Sequence, residues 1–90
     1  MVWFVYIVSA SDASLYTGIT TDILKRIAQH NRGKGAKSLL GKLPVRLVYK
    51  EQHQSKSSAL KREYELKTWS REKKQLLIHQ FIDRSQSNLV

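Results

Sequence analysis

The sequence contains no cysteine, which excludes disulfide bonds and cysteine-based zinc sites. A cysteine-free composition fits a reducing compartment, and we expect a cytoplasmic protein. The apolar run at residues 2–8 is far shorter than the ~20 residues that a membrane-spanning helix needs. It also lacks the basic leader of a signal peptide. We therefore expect no membrane partner.

Acidic residues are scarce, with 7 Asp and Glu against 16 Lys and Arg, for a formal net charge of +9. Such an excess on a chain of 90 residues favours a polyanionic partner, most often nucleic acid. The alternative is a charge that serves solubility alone. The length allows one domain, which we place at residues 1–84, with a polar tail at 85–90 that frays.

Several common catalytic signatures are missing. There is no glycine-rich phosphate loop at P-loop or Rossmann spacing, no HExxH and no Gly-x-Ser-x-Gly. His30, His53 and His79 lack the spacing of metal ligands. These absences remove the commonest nucleotide-binding, metalloprotease and serine hydrolase classes from consideration.

The first twenty residues predict a β-hairpin. Residues 2–8 are β-branched, aromatic and continuously apolar, which is typical of a central strand covered on both faces. A small polar turn at 9–14 precedes a second strand at 15–19. If the loop holds residues 9–13, Tyr6 lies directly opposite Tyr16 and both phenols share one face.

The rest of the chain alternates helical and strand patterns, which gives an α/β fold. The three strands form a small antiparallel sheet flanked by helices, in the order β-β-α-β-α-α. The further elements are a helix from residues 20–22 to Gly33, a basic loop at 31–42 with a helical turn near 38–40, a strand at 45–49, a helix at 55–69 and a last helix after Ser70.

Two tyrosines and an arginine supply chemistry for a phosphodiester. The unperturbed pKa of a phenol is about 10, and a nearby cation or metal lowers it, so Tyr6 or Tyr16 could take a proton from water. Arg26 offers a planar fork that suits phosphate oxygens. The alternatives are ordinary ones: strand tyrosines usually pack in the core, and helical arginines are usually solvated.

His30 and Glu63 complete the set of candidates. His30 lies one helical turn after Arg26, where it could exchange protons or contact phosphate, or simply interact with the helix dipole. Glu63 could form a surface ion pair with Lys67. Turned inward, it could instead hold Mg²⁺ together with waters and substrate phosphate. No second carboxylate is paired with it, so we do not expect a two-metal site.

The loop at 31–42 and a strand glycine add a binding surface. Gly18 lies near the end of the second strand, where a missing side chain lets another group approach. We expect the loop's cations to hold a nucleic-acid backbone, and they are Arg32, Lys34, Lys37 and Lys42.

The order of these residues resembles the GIY-YIG endonuclease superfamily, in particular its small stand-alone bacterial members. The resemblance runs from Val2 to about Phe81. The residues that carry it are Phe4-Val5-Tyr6, Tyr16-Thr17-Gly18, Arg26, His30 and Glu63 in the run Lys61-Arg62-Glu63. The first motif lacks the family's glycine and isoleucine before tyrosine, and the second has threonine at its centre.

The resemblance implies the β-β-α-β-α-α fold and a nuclease that uses one divalent cation, Mg²⁺ or Mn²⁺. It implies Tyr16 as general base, Tyr6 as the group that shares or orients the attacking water, Arg26 as the phosphate clamp and Glu63 as the metal ligand. DNA is favoured over RNA, and DNA repair is the setting that we expect. Many family nucleases also carry a late asparagine; the candidate here, Asn88, falls in the tail and we do not assign it that role.

Ninety residues leave no room for an attached DNA-binding domain. The resemblance therefore implies that the chain recognises backbone shape or charge, or depends on a protein partner for target choice. Two alternatives stay open. One is a basic module that keeps the fold and binds nucleic acid without cutting it, and the other is a scaffold that binds an acidic protein.

Overall fold

A computed structural model describes residues 1–87 as a three-stranded antiparallel sheet with helices on both faces. The strand order is β2-β1-β3, so the apolar first strand is central. The elements are β1 (Trp3–Ser9), β2 (Leu15–Thr20), α1 (Ile23–Asn31), a 3₁₀ turn (Lys37–Leu39), β3 (Arg46–His53), α2 (Lys56–Lys67) and α3 (Arg71–Ser87). The predicted fold class and element order are confirmed.

The two faces of β1 have different surroundings. Val5 and Ile7 are fully buried on the side of α2 and α3, where they pack with residues such as Leu66 and Ile78. Tyr6 and Val8 are buried on the side of α1 and the loop that follows it. Because successive side chains of a strand point to opposite faces, a continuous apolar run is what such a doubly covered strand requires.

The predicted hairpin register is wrong by two residues. Tyr6 pairs with Gly18, and Tyr16 pairs with Val8. The connecting turn holds residues 10–14, with Ala13 at φ 69°, so the hairpin turns one residue later than predicted. A shift by two preserves the face of each side chain, since the strand repeat is two residues. Tyr6 and Tyr16 therefore still share a face as diagonal neighbours.

The predicted helix caps are confirmed. The Asp22 carboxylate accepts from the amide of Lys25 at 3.0 Å, and the Ser55 hydroxyl accepts from Ser58 at 3.1 Å. The Ser70 hydroxyl accepts from the amide of Lys73 at 3.2 Å. Each bond satisfies an amide that the first turn of a helix leaves without a partner.

The third strand is longer than predicted. It runs to His53 instead of residue 49, although the added residues are polar. They pair with the first residues of β1, Trp3 to Tyr6, so ladder hydrogen bonds to a central strand extend β3 where side-chain pattern gives little signal.

The loop between α1 and β3 is anchored at both ends. Helix α1 ends before Gly33, which has φ 75°. At the far end, the Asn31 amide side chain bonds both backbone groups of Val45, donating to the carbonyl at 3.1 Å and accepting from the amide at 2.7 Å. The start of the loop and the start of β3 are thereby held together.

The chain's last part is described through Ser87. Helix α3 includes residues 85–87, which begin the predicted tail, whereas residues 88–90, with Asn88, lie outside the described residues. Within residues 1–87, no helix combines the length and apolarity needed to cross a membrane.

Candidate active site

Two phenols and an imidazole form an aromatic cluster between β1, β2 and α1. The ring centroids of Tyr6 and Tyr16 are 6.3 Å apart, and that of His30 lies 6.0 Å from Tyr6 and 5.5 Å from Tyr16. Tyr6 and His30 are each 1% exposed, whereas Tyr16 is half-buried. Three residues that are distant in sequence therefore meet at the sheet face that α1 covers.

Gly18 makes room for the Tyr6 hydroxyl. A Cβ atom at position 18 would lie 2.6 Å from Tyr6 Oη and 3.1 Å from Tyr16 Cε1. Real Cβ atoms do not approach other atoms this closely, so a side chain here would displace the phenol. The glycine of the second motif thus serves the tyrosine of the first, its cross-strand partner.

His30 connects Tyr6 to the loop after α1. Its Nε2 lies 2.8 Å from the Tyr6 hydroxyl, and its Nδ1 accepts from the Ala36 amide at 3.2 Å. Burial and the charge of Arg26 hold the pKa of His30 below its ordinary 6.5, so the imidazole is neutral at neutral pH. Because Nε2 is bonded to Tyr6 and Nδ1 to Ala36, His30 acts on the rest of the cluster through the Tyr6 hydroxyl.

Arg26 lies beside both phenols. Hydrogen bonding to Tyr6 is the largest influence that raises the pKa of Arg26 above its ordinary value, and the phenol of Tyr16 adds to it. Its Nη1 also donates to Gln29 Oε1 at 3.3 Å. Arg26 is thus a fixed cation one helical turn before His30, close to the hydroxyl groups that could handle protons.

Burial raises the pKa of Tyr6 above 10, and hydrogen bonding from Arg26 opposes the rise. The negative charges of Tyr16 and, to the smallest extent, Glu63 act in the same direction as burial and favour the protonated phenol of Tyr6. The net direction is upward, and Tyr6 is therefore protonated at neutral pH in the free protein.

Glu63 forms the ion pair considered from sequence, and its side chain is also partly enclosed. Its side chain is 18% exposed, and its Oε2 lies 3.6 Å from Lys67 Nζ, in the i,i+4 pair that the sequence suggested. It lies between Ala59 and Leu66 in the sequence of α2, at i+4 and i−3 from these two fully buried residues. Glu63 is therefore partly enclosed rather than directed into bulk solvent.

The donor set fits one hard divalent cation held mainly by substrate and water. Glu63 supplies a single carboxylate, which is partly enclosed on α2. Among residues 1–87, no group of three or more His, Cys, Asp or Glu side chains could hold a metal ion. Mg²⁺ commonly binds through one or two carboxylates plus phosphate oxygens and waters, which matches this inventory.

The basic residues of the loop differ in their surroundings. Arg32, Lys34 and Lys37 are exposed on the stretch that wraps the end of α1. Lys42 is half-buried and pairs with Asp12 of the hairpin turn at 3.7 Å. The first three present their charges to solvent, whereas Lys42 also helps to fix the loop to the hairpin.

Sequence reasoning missed two residues next to the aromatic cluster, Gly35 and Ala36. A Cβ at position 35 would lie 2.9 Å from His30 Cα and closer still to Nδ1. Ala36 contributes through its backbone amide, which any residue except proline supplies. The signal available in the sequence was the glycine itself, two residues beyond the helix stop.

Comparison with known proteins places these residues in a family. Residues 2–75 match the model of the GIY-YIG catalytic domain. UPF0213 proteins of Staphylococcus aureus, from strains Mu3 and Mu50, are each 57% identical over 75 residues, which cover 83% of this chain and 92% of theirs. The NMR solution structure of a UPF0213 protein from Bacillus halodurans is also similar, with a TM-score of 0.57 and 47% identity over 88% of this chain and 84% of that one.

Proposed function

The chain belongs to the GIY-YIG catalytic-domain family, and from this membership we propose that it is a metal-dependent endonuclease that hydrolyses DNA phosphodiesters. Membership supports the nuclease superfamily, and the site supports the chemistry. The observation that carries the proposal is the aromatic cluster, in which the rings of Tyr6 and Tyr16 lie 6.3 Å apart beside His30, on the side of α1 that also carries Arg26 one helical turn earlier.

Each side chain has one role in the proposed reaction. Tyr16, the less buried phenol, acts as general base toward the attacking water, and Tyr6 orients that water through its hydroxyl. Arg26 clamps the scissile phosphate and stabilises the negative charge that builds up on it. His30 positions Tyr6 through a hydrogen bond to its hydroxyl group.

Glu63 would hold the divalent cation, Mg²⁺ or Mn²⁺. When bound, such an ion supplies charge stabilisation at the phosphoryl oxygens. Lys67 must give up its 3.6 Å pair with Glu63 or shift within it, because an ammonium group and a cation compete for the same carboxylate. The exposed cations of the loop, Arg32, Lys34 and Lys37, hold the backbone to either side.

The proposal is tested with a panel of single-stranded, duplex and branched DNA, together with matched RNA, in Mg²⁺ and in Mn²⁺. We expect DNA cleavage that chelation abolishes and that Glu63→Gln reduces below detection. Glu72→Gln is the matched control, since this carboxylate lies in the exposed first turn of α3 and should leave cleavage unchanged. Equal cleavage by wild type and Glu63→Gln would contradict the proposal.

The pairing of Glu63 with Lys67 favours a second candidate, a module that binds nucleic acid without turnover. In a protein that binds no metal, the ammonium group of Lys67 would balance the charge of the Glu63 carboxylate in place of a cation. In that case no substrate is cut under any metal condition, yet binding weakens steeply with salt. Lys34→Ala should then reduce the slope of log K against log salt by about 1, whereas Lys74→Ala on α3 should not.

A further inference from the structure

The turn that follows α1 folds back onto His30. Gly33 at φ 75° reverses the chain, and Gly35 brings the backbone so close that a Cβ there would lie 2.9 Å from His30 Cα. The next amide, that of Ala36, donates to His30 Nδ1 at 3.2 Å. Space at Gly35 is therefore the condition for the Ala36 hydrogen bond.

This hydrogen bond determines which nitrogen of His30 carries the proton. A backbone amide can only donate, so Nδ1 must accept and cannot itself be protonated. A neutral imidazole has one N–H, which is then on Nε2. Nε2 lies 2.8 Å from the Tyr6 hydroxyl, so His30 donates this hydrogen bond and the Tyr6 oxygen accepts it.

The direction of the bond constrains Tyr6. The Tyr6 oxygen accepts a hydrogen bond from His30 at 2.8 Å. The phenolic proton cannot point at His30, because Nε2 is already protonated. It must turn to another direction around the hydroxyl, which lies against Gly18 and near the ring of Tyr16.

We infer that Gly35 and Ala36 are positioning residues that lock His30 in its Nε2–H tautomer and thereby aim the Tyr6 hydroxyl proton away from the histidine and into the candidate active site. The inference rests on the proposed function for its catalytic meaning, but the tautomer itself can be measured without any activity. It also assigns His30 the part of a fixed donor to Tyr6, and not that of a base that removes the Tyr6 proton.

The first test is a two-bond ¹H–¹⁵N correlation spectrum of the imidazoles at neutral pH, with His30→Gln used to assign the His30 signals. We expect the Nε2–H tautomer in wild type. Gly35→Ala should lose this pattern, because its Cβ would displace either His30 or the Ala36 amide. Gly41→Ala is the matched control: it also places alanine at a loop glycine, at φ 83°, but in open space.

A wild-type spectrum of the Nδ1–H tautomer or of an imidazolium would overturn the inference. So would a Gly35→Ala spectrum identical to that of wild type. Neither outcome depends on finding a substrate, so this test can fail while the proposed nuclease function stands.

The second test uses two amide side chains that each mimic one nitrogen. In His30→Gln the side-chain amide reaches the Nε2 position and can donate to Tyr6, whereas in His30→Asn it reaches only the Nδ1 position near Ala36. We expect His30→Gln to cleave about tenfold faster than His30→Asn, the effect of one hydrogen bond. Equal rates for the two folded variants would contradict the inference, with folding checked by thermal unfolding.

Discussion

Two clusters in this protein use the same residue types in opposite ways. Around Glu51, the carboxylate collects donors: Tyr49 at 2.5 Å, His53 at 2.5 Å and Arg62 at 3.1 Å. We call this set the Glu51 network. The aromatic cluster and its neighbours, which we call the site network, also contain tyrosine, histidine, arginine and glutamate, and they are Tyr6, Tyr16, Arg26, His30 and Glu63.

The difference lies in where the donors point. In the Glu51 network the donors converge on one carboxylate. Burial alone would raise the pKa of Glu51, but hydrogen bonds from Tyr49, His53 and Arg62 together hold that pKa below its ordinary value. In the site network they gather around the Tyr6 hydroxyl, while Glu63 pairs with Lys67. In the Glu51 network the donors and the acceptor bond one another, so few hydrogen-bonding groups remain for a ligand. The site network is centred on a phenol, so the proton of Tyr6 and the charge of Arg26 remain available to a ligand.

We expect the largest difference between the two networks when the arginine of each, Arg26 or Arg62, is replaced by alanine. We expect Arg26→Ala to reduce DNA cleavage by about 10³-fold, as for other arginines that stabilise charge in phosphoryl transfer, with little change in thermal stability. Arg62→Ala should instead cost about 1–3 kcal/mol of unfolding free energy, because it leaves the half-buried Glu51 short of a donor. Cleavage rates and chemical denaturation of both variants make the comparison.

Equal losses of stability in the two arginine variants would show that the distinction is wrong. Cleavage by Arg62→Ala should be compared at a temperature where the variant is still folded. Arg62 also lies over the Trp69 ring at 5.1 Å, so part of its stability loss will come from that contact.

The two tyrosines should differ next. Tyr6→Phe should lower cleavage by about 10²-fold through loss of the catalytic hydroxyl. Tyr49→Phe should leave cleavage unchanged, although both variants should lose about 1 kcal/mol of stability through one hydrogen bond. The pKa of Tyr49 is raised to about 12 by burial and by Glu51, so its phenol stays protonated and structural across the assay range.

A spectrophotometric titration of the tyrosines further tests the difference between Tyr6 and Tyr49. Wild type should retain a tyrosine that ionises near 12, and Tyr49→Phe should lack it. Detection of cleavage activity that follows the ionisation of Tyr49 would place that residue in the reaction and contradict its structural role.

Gly18→Ala should reduce cleavage by about tenfold without removing any functional group. Its Cβ would lie 2.6 Å from Tyr6 Oη, so the hydroxyl must move by several tenths of an ångström or more, and misplaced catalytic groups lose rate steeply. Gly41→Ala provides the control for a general glycine effect, since it costs roughly 1 kcal/mol in backbone strain but leaves the site untouched. A Gly18→Ala variant as active as wild type would show that the position of the Tyr6 hydroxyl is unimportant.

The smallest effect is a pH dependence of stability with two separate windows. The pKa of His30 is lowered on folding, so its contribution is complete above pH 6.5 and falls as the pH drops from there toward the lowered value. The pKa of Glu51 is also lowered, so its contribution is complete above 4.5 and falls below that. Urea titrations of wild type between pH 8 and pH 3 should show both declines.

Each decline has its own control. His30→Gln should remove the decline below pH 6.5, and Glu51→Gln should remove part of the decline in the acid range. Loss of the upper decline in Glu51→Gln would mean that the assignment of the two windows is wrong.

Most of the fold could be predicted from short-range sequence patterns. Caps such as Asp22 and Ser55 act within three or four residues, so their prediction needed no tertiary information. The hairpin register did not follow, because the turn of residues 10–14 depends on Ala13 at positive φ, a conformation that alanine rarely adopts. The shared face of Tyr6 and Tyr16 survived only because the error was an even number of residues.

For the candidate site, the sequence could suggest which residues to consider, but it could not predict the contacts between them. Sequence order proposed Tyr6, Arg26 and Glu63 as candidates, and their roles stay predictions. The role of Gly35 depends on the backbone amide of Ala36, and every residue type except proline has such an amide. The Glu51 network was missed for a related reason. Glu51 and Arg62 belong to different elements, and only the packing of α2 near β3 joins them.

The loop after α1 is fixed to the rest of the protein at three points. His30 fixes Ala36, Leu39 is 3% exposed and packs in the core cluster that includes Tyr6, and the carbonyl of Lys42 accepts from the Ser11 amide at 2.8 Å. The exposed positions between these points, Ser38 and Leu40, can therefore change in identity without disturbing the aromatic cluster. An engineer could vary these two positions to adjust recognition while keeping Leu39 as the internal anchor, much as antibody frameworks accept new hypervariable loops.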